Sequence, residues 1–335
     1  MATLPFDKFT QRLGTPSSGA TYSYIHIPST SHNPTILFIH GFPSSSYDWR
    51  HQIIYFSSKG YGIVAPDLLG FGCTDKPESL AEYRGKKMAL EIEDILDLEN
   101  IQKVHAVGHD WGSFVLSRFA NYCPTRLMSL TFLSVAYMPP GELFDLQKIN
   151  LSSKQLLGYE LFGYWEFFDR KDAADIIKEH FESFYSMIHT SDPSVVMENM
   201  APIGAFEKWL KTGQAAPVAS YLSEQEKKIH RNIFNDEYGP ALNTYRSLIA
   251  NVNLEDERLA RIDPMLDHPV LLITATHDKI GRPELEERRM RSFATTNLRV
   301  EQVDTGHWPH MERKDEVNDY IESFIAKIEL EVPTW

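Results

Sequence analysis

Cysteine is nearly missing from this sequence: Cys73 and Cys123 are its only two, too few for a disulfide framework or a cysteine-built metal cage. A reducing compartment is the expectation that follows. No run of 18 or more apolar residues exists to cross a bilayer. The opening MATLPFDKFTQRLG lacks the charged-then-apolar layout of a signal peptide, and the closing VPTW matches no retention or peroxisomal address. A cytoplasmic protein is therefore expected. Basic charge is short as well, with 33 Lys and Arg against 46 Asp and Glu and a net charge of −13. A nucleic-acid surface needs a basic patch, so no nucleic-acid partner is expected, and the acidity reads as a means of staying soluble. Internal repeats and low-complexity tracts are also lacking.

Hydrophobic residues at 42% and charged residues at 24% suit a globular chain of 335 residues that buries a sizeable core. Short apolar runs rich in β-branched and aromatic residues predict strands at 21–28 (TYSYIHIP), 35–40 (TILFIH), 61–67 (YGIVAPD), 103–108 (KVHAVG), 128–134 (MSLTFLS), 269–276 (PVLLITAT) and 297–303 (NLRVEQV). Several are apolar almost throughout, as strands covered on both faces are. Stretches of helical length and spacing lie between most of them, among them 81–100, 112–122 and 316–328. The alternation predicts an α/β fold with a mostly parallel central sheet flanked by helices. After LSVAYMPPG the rhythm breaks, and from 139 to 262 the pattern is helical only, as at 172–188 and 223–234. The expected organisation is a core domain of residues 1–138 and 263–335, with a helical cap domain of 139–262 inserted between two strands. Such an insertion would lie over the carboxyl ends of the strands, where open α/β sheets bind their ligands.

GHDWGS (108–113) follows the strand KVHAV and precedes the helical stretch FVLSRFANY, which places Asp110 at a sharp strand-to-helix turn. Aspartate often caps helices, where free N–H groups stabilise its charge. Glycines at 108 and 112, however, are what a strained turn and a close helix–strand approach require, and that is the setting of a nucleophile elbow. Its partners follow in the order the elbow template demands. ITATHDKIG sets Asp278 just past a strand end, and VDTGHWPHM sets His307 in the loop after the final strand. His277, one residue before the acid, should point away from it, and His310 lies a turn beyond His307 in a supporting position. HGFPSSSYDW (40–49) follows the strand TILFIH, where the backbone N–H groups of Phe42 and Trp111 would form an oxyanion hole. Phe42–Pro43 is a candidate cis bond.

The set HGFP, PDLLGFGCTDKP, GHDWGS, the late Asp278 and TGHWPHME resembles the α/β-hydrolase superfamily over about residues 8 to 330. Within it the chain resembles the epoxide hydrolase branch, whose nucleophile is aspartate. The resemblance implies an α/β-hydrolase fold with a helical cap, no cofactor and no metal, and conversion of an apolar epoxide and water to a vicinal diol. Asp110 would be the nucleophile, His307 the general base and Asp278 the acid that orients it. The family opens the epoxide ring with two cap tyrosines. GYELFGYWEFF (158–168) resembles the segment bearing the first and ALNTYRSL (241–248) the segment bearing the second, which carries over to Tyr159 and Tyr245, with Tyr164 five residues away as the rival for the first position.

His40 and Pro43 of the HGFP stretch and Trp165 of the aromatic run are candidates for the wall that touches substrate. An aromatic-lined cavity favours an apolar substrate with one polar reacting group, and no basic cluster marks a site for phosphate. Haloalkane and haloacetate dehalogenases also carry an aspartate at the elbow and stand as the alternative. The former tend to have asparagine or glutamate at the position of Phe42, and fluoroacetate dehalogenases an arginine where this chain has Trp111. A non-catalytic receptor on the same fold is the further alternative. Nothing in the sequence speaks to oligomeric state.

Overall fold

The computed structural model describes residues 8–30 and 33–331. Its sheet has eight strands: β1 (Thr10–Gly14), β2 (Thr21–Ile27), β3 (Thr35–Ile39), β4 (Gly62–Pro66), β5 (Val104–His109), β6 (Leu127–Leu133), β7 (Val270–Ala275) and β8 (Leu298–Val303). Their order is β1-β2-β4-β3-β5-β6-β7-β8. β1 with β2 and β2 with β4 are antiparallel, and the other pairs are parallel. The seven strands expected from apolar runs all form. β1 has no such run: TQRLG is exposed at all five positions and pairs along the sheet edge, Thr10 opposite Ile25 through Gly14 opposite Thr21. A strand without a buried face leaves no alternation to read.

Alternation within the central strands sorts the core into two layers. Ile36 and Phe38 of β3 face one side, against Trp49, Ile53 and Phe56 and the helix bearing Val317, Ile321 and Phe324. Leu37 and Ile39 face the other, against Met88, Ile92, Phe114 and Phe119. The first layer holds α1 (Arg50–Ser58), and the second holds α2 (Gly85–Leu98) and α3 (Trp111–Tyr122). The chain leaves β3 for β4 on one side and returns to β5 on the other, so a crevice opens between the carboxyl ends of β3 and β5, the place where such sheets bind ligands. Phe42 and Asp110 stand at those two ends.

Between β6 and β7 the described residues form helices and no sheet strand: α4 (Leu146–Leu157), α5 (Tyr164–Asp169), α6 (Ala173–Glu179), α7 (Phe181–Ile188), α8 (Pro193–Asn199), α9 (Ala205–Lys211), α10 (Glu224–Phe234), α11 (Gly239–Ile249) and α12 (Leu254–Ala260). The aromatic residues of α5, α7 and α11 continue the second core layer, so this segment packs as an extension of the hydrophobic core over the crevice. Its root is fastened by charge. Arg118 of α3 pairs with Glu257 of α12, both side chains buried, while the same carboxylate accepts the Gly141 N–H and Arg118 donates to the Met138 carbonyl. After β7 come α13 (Pro283–Phe293), α14 (Pro309–Glu312) and α15 (Lys314–Glu331). No helix among the described residues is long and apolar enough to cross a membrane.

Candidate active site

Asp110 occupies the turn between β5 and α3 with φ +53° and ψ −121°. Non-glycine residues rarely hold positive φ, and such strain gathers where a side chain must be presented. The two flanking glycines make the turn possible by closeness. A Cβ on Gly112 would meet the Ile39 carbonyl oxygen at 2.0 Å, and one on Gly108 would meet the Gly112 oxygen at 2.6 Å. Gly112→Ala is therefore expected to cost about 3 kcal/mol or to prevent folding, as measured by denaturant unfolding; a wild-type midpoint would show that the contact yields. Asp110 makes no capping bond to α3, so its carboxylate is free for other work.

Each oxygen of that carboxylate has its own surroundings. Oδ1 accepts the Phe42 N–H at 2.8 Å, and Oδ2 lies 3.5 Å from His307 Nε2. On the far side of the imidazole, Nδ1 donates to Asp278 Oδ2 at 2.6 Å. Asp278 is buried, and its other oxygen accepts the Ile280 and Gly281 N–H groups at 2.8 and 2.9 Å. The His307 carbonyl is held in turn by His109 Nε2 at 2.8 Å and the Ser134 hydroxyl at 3.1 Å, which fixes the loop carrying the imidazole. Phe42–Pro43 is cis. Trp111 opens α3, so its N–H is one of the helix's free amino-terminal donors beside Asp110.

The charges reinforce one another. Burial raises the pKa of Asp110, but the His307 imidazolium, bonding and attracting at once, together with the Phe42 N–H, holds it below the ordinary value. Burial works the same way on Asp278 and is outweighed by His307 and two backbone donors. For His307, burial disfavours the cation, yet Asp278 and Asp110 overcome it and push the pKa up to about 10. A raised histidine pKa stabilises the fold fully below its unfolded value of about 6.5. That contribution is lost as pH climbs from there through about 10.

Two cavities open on Asp110. One, about 720 Å³ with its mouth, is walled by Phe42, Tyr164, Tyr221, Tyr245, His307 and Trp308. The other, about 2210 Å³ with its mouth, runs past Trp111, Phe114, Met138, Phe144, Trp165 and Leu248. Asp110 and Tyr164 line both. Tyr164 on α5 and Tyr245 on α11 pack ring against ring at 6.3 Å, and Tyr245 also rests on Phe42 at 5.2 Å and Trp111 at 4.8 Å. Burial, and then neighbouring negative charge, raises both phenols, so each keeps its proton in the resting site.

Of the residues singled out from sequence, the structure brings together Asp110, His307, Asp278, Phe42, Trp111, Tyr245 and Trp165. Three others lie elsewhere. Tyr159 lines neither cavity, whereas Tyr164, its rival, lines both: the Tyr159 hydroxyl donates to the Lys279 carbonyl at 2.9 Å and meets Arg282 at 3.3 Å, and its ring packs in a satellite cluster with Leu161 and Ala201. It follows Gly158, the left-handed cap that ends α4, and the turn aims it away from Asp110. His40 is fully buried, with Nε2 accepting the Leu68 N–H at 2.9 Å and Nδ1 therefore donating to the Gly41 carbonyl at 2.9 Å, so it braces the loop and lines neither cavity. Pro43 is buried too and lines neither.

Among the competing histidines, His277 pairs with Asp304 at 2.7 Å on the surface, and His310 is buried between Trp49 and His109, each 4.5 Å away. No signal in the sequence pointed to His109 or Ser134, whose roles depend on the path of the His307 backbone.

A family model for the alpha/beta hydrolase fold matches residues 34–314. Epoxide hydrolase 3 of Siraitia grosvenorii is 43% identical over 115 residues, 34% of this chain, and the match spans about a third (36%) of that relative's own length. Epoxide hydrolase srdG of Neurospora crassa is 26% identical over 344 residues, covering 93% of this chain and 94% of that protein. The crystal structure of Epoxide Hydrolase A from Mycobacterium thermoresistibile has a TM-score of 0.78 at 26% identity, covering 94% of this chain and 97% of that one.

Proposed function

The chain belongs to the alpha/beta hydrolase fold family, and we propose that it is a cofactor-independent epoxide hydrolase, adding water to an apolar epoxide to give a vicinal diol. The observation that carries this reading is the pair of phenols, Tyr164 and Tyr245, on the wall of the cavity that also holds the Asp110 carboxylate, whose Oδ2 faces His307 at 3.5 Å. In this reading residues 139–262 form a cap domain over a core domain of 1–138 and 263–335. The two unpaired thiols, Cys73 and Cys123, favour a cytoplasmic location.

Asp110 Oδ2 attacks a ring carbon, a C–O ester bond forms, and the ring C–O bond breaks with its electron pair on oxygen. That oxygen takes a proton from one of the two tyrosines. Oδ1, already bonded to the Phe42 N–H, becomes the ester carbonyl oxygen. His307, once its resting proton has passed to the phenolate and restored the phenol, takes a proton from water, the hydroxide adds to the Asp110 carbonyl carbon, and the oxyanion on Oδ1 is held by the N–H groups of Phe42 and Trp111. Collapse breaks the bond between the carbonyl carbon and Oδ2, and that oxygen takes the proton back from His307 and leaves as one hydroxyl of the diol. Asp278 keeps His307 in the right tautomer and balances its charge.

The same electrostatics time the two steps. At rest the Asp110 charge helps keep His307 protonated. Ester formation erases that charge, so the imidazole becomes easier to deprotonate when a base is needed. Asp110→Asn mimics the uncharged ester. The His307 resonance in that variant is expected to titrate lower than in the wild type, where it lies near 10, when followed by NMR; an unmoved titration would show that Asp110 does not set it.

Aryl and aliphatic epoxides, screened beside haloalkanes and haloacetates, test the overall reading. Diol formation without halide release supports it. Halide release with no diol from any epoxide would establish the dehalogenase reading, and tight binding with no turnover the receptor reading.

A further inference from the structure

The indole Nε1 of Trp165, next to Tyr164 on a wall of the cavity that reaches Asp110, is buried without a formed hydrogen bond. Its ring is locked rather than loose. Phe144 stacks on it at 5.1 Å and 20°, Phe162 at 4.9 Å and 28°, and Trp111 packs at 5.3 Å. The residue is 6% exposed. A buried N–H without an acceptor is costly, and a native structure that retains one calls for a reason.

Trp165 directly follows Tyr164 on α5 and meets Tyr245 edge-on at 4.9 Å and 89°. We infer that Trp165 is a positioning residue whose indole N–H waits for the negative oxygen that forms on Tyr164 when this phenol protonates the opening epoxide. The inference rests on the reading of Tyr164 as a ring-opening donor. Its physical content is a donor placed where charge will appear, in a dry site, before the charge exists. During alkylation one negative charge leaves Asp110 and another forms on the tyrosine oxygen. An N–H left unused in the resting state is free to donate to it.

The electrostatics agree with the geometry. Burial raises Tyr164 most, Asp110 and Asp278 raise it further, and the indole of Trp165, followed by the Tyr245 hydroxyl, draws it partly back. Trp111 acts the same way on Tyr245. Each phenol thus has its own indole. Trp165 is the one whose backbone has no part in the oxyanion hole, so it can be changed without disturbing the second step.

The test measures alkylation of Asp110 and hydrolysis of the ester separately, by rapid quench under single-turnover conditions. Trp165→Phe should slow alkylation about tenfold, the size expected for losing one hydrogen bond to a charged group, and leave ester hydrolysis unchanged. In a Tyr164→Phe background the same substitution should add no further loss, because the oxygen it serves is gone. The benzothiophene analogue of tryptophan, installed at 165, keeps the ring's shape, lacks the N–H and should repeat the result. An equal loss in both backgrounds, an equal slowing of both steps, or no loss at all would overturn the inference. If Tyr164→Phe alone alkylates at the wild-type rate, the tyrosine reading falls first and the inference goes with it.

Discussion

Asp110→Ala is expected to reduce diol formation by roughly four orders of magnitude or more while the protein stays folded. The side chain caps no helix and fills no core position. What is removed is the atom that bonds to carbon, and the other carboxylate of the triad cannot substitute: Asp278 is buried behind His307 with its oxygens committed to the imidazole and to two backbone N–H groups. Loss of activity with retained unfolding cooperativity is the outcome to look for. A purified variant that makes diol within tenfold of the wild-type rate would end the nucleophile assignment.

The second large effect belongs to the phenols. Tyr245→Phe or Tyr164→Phe leaves one phenol of the pair in place and should slow alkylation by about 10- to 100-fold, within the range general acids contribute. Removing both should nearly abolish ester formation, because the leaving alkoxide loses the two phenols that pack ring against ring on the cavity wall with Asp110, while His307 is committed to the carboxylates. Folding should change little, since both rings stay in their aromatic packing. Tyr159→Phe is the contrasting substitution: its hydroxyl donates to the Lys279 carbonyl and lines neither cavity, and epoxide opening should not depend on it. Rates in the Tyr164/Tyr245 double variant equal to wild type would exclude tyrosine as the proton source.

Asp110, Asp278 and His307 are legible in the sequence because strand ends are. Each follows an apolar run closely, two of them stand beside glycine, and their order along the chain is the order in which the sheet brings them to one edge. Tyr159 illustrates the limit. Glycines at 158 and 163 bracket a turn, and a proton donor held over a carboxylate needs the rigidity of the helix that follows, which begins at Tyr164. Motif position alone could not settle whether the ring leaves the turn toward or away from Asp110. His40 fails for a related reason: the HGFP stretch places its backbone at the crevice, but the Leu68 N–H takes its ring under the loop. β1 escapes notice because an exposed edge strand needs no apolar pattern. Contacts to the His307 carbonyl, from His109 and Ser134, come from loops whose meeting depends on tertiary structure alone.

Oxygen isotope tracing tests the ester most directly. In one turnover in heavy-oxygen water, the peptide containing Asp110 should gain one heavy oxygen, while the diol leaves carrying an ordinary oxygen from that carboxylate. A labelled diol and an unlabelled Asp110 peptide from the same turnover would mean that water attacks the epoxide itself, with no bond to the protein.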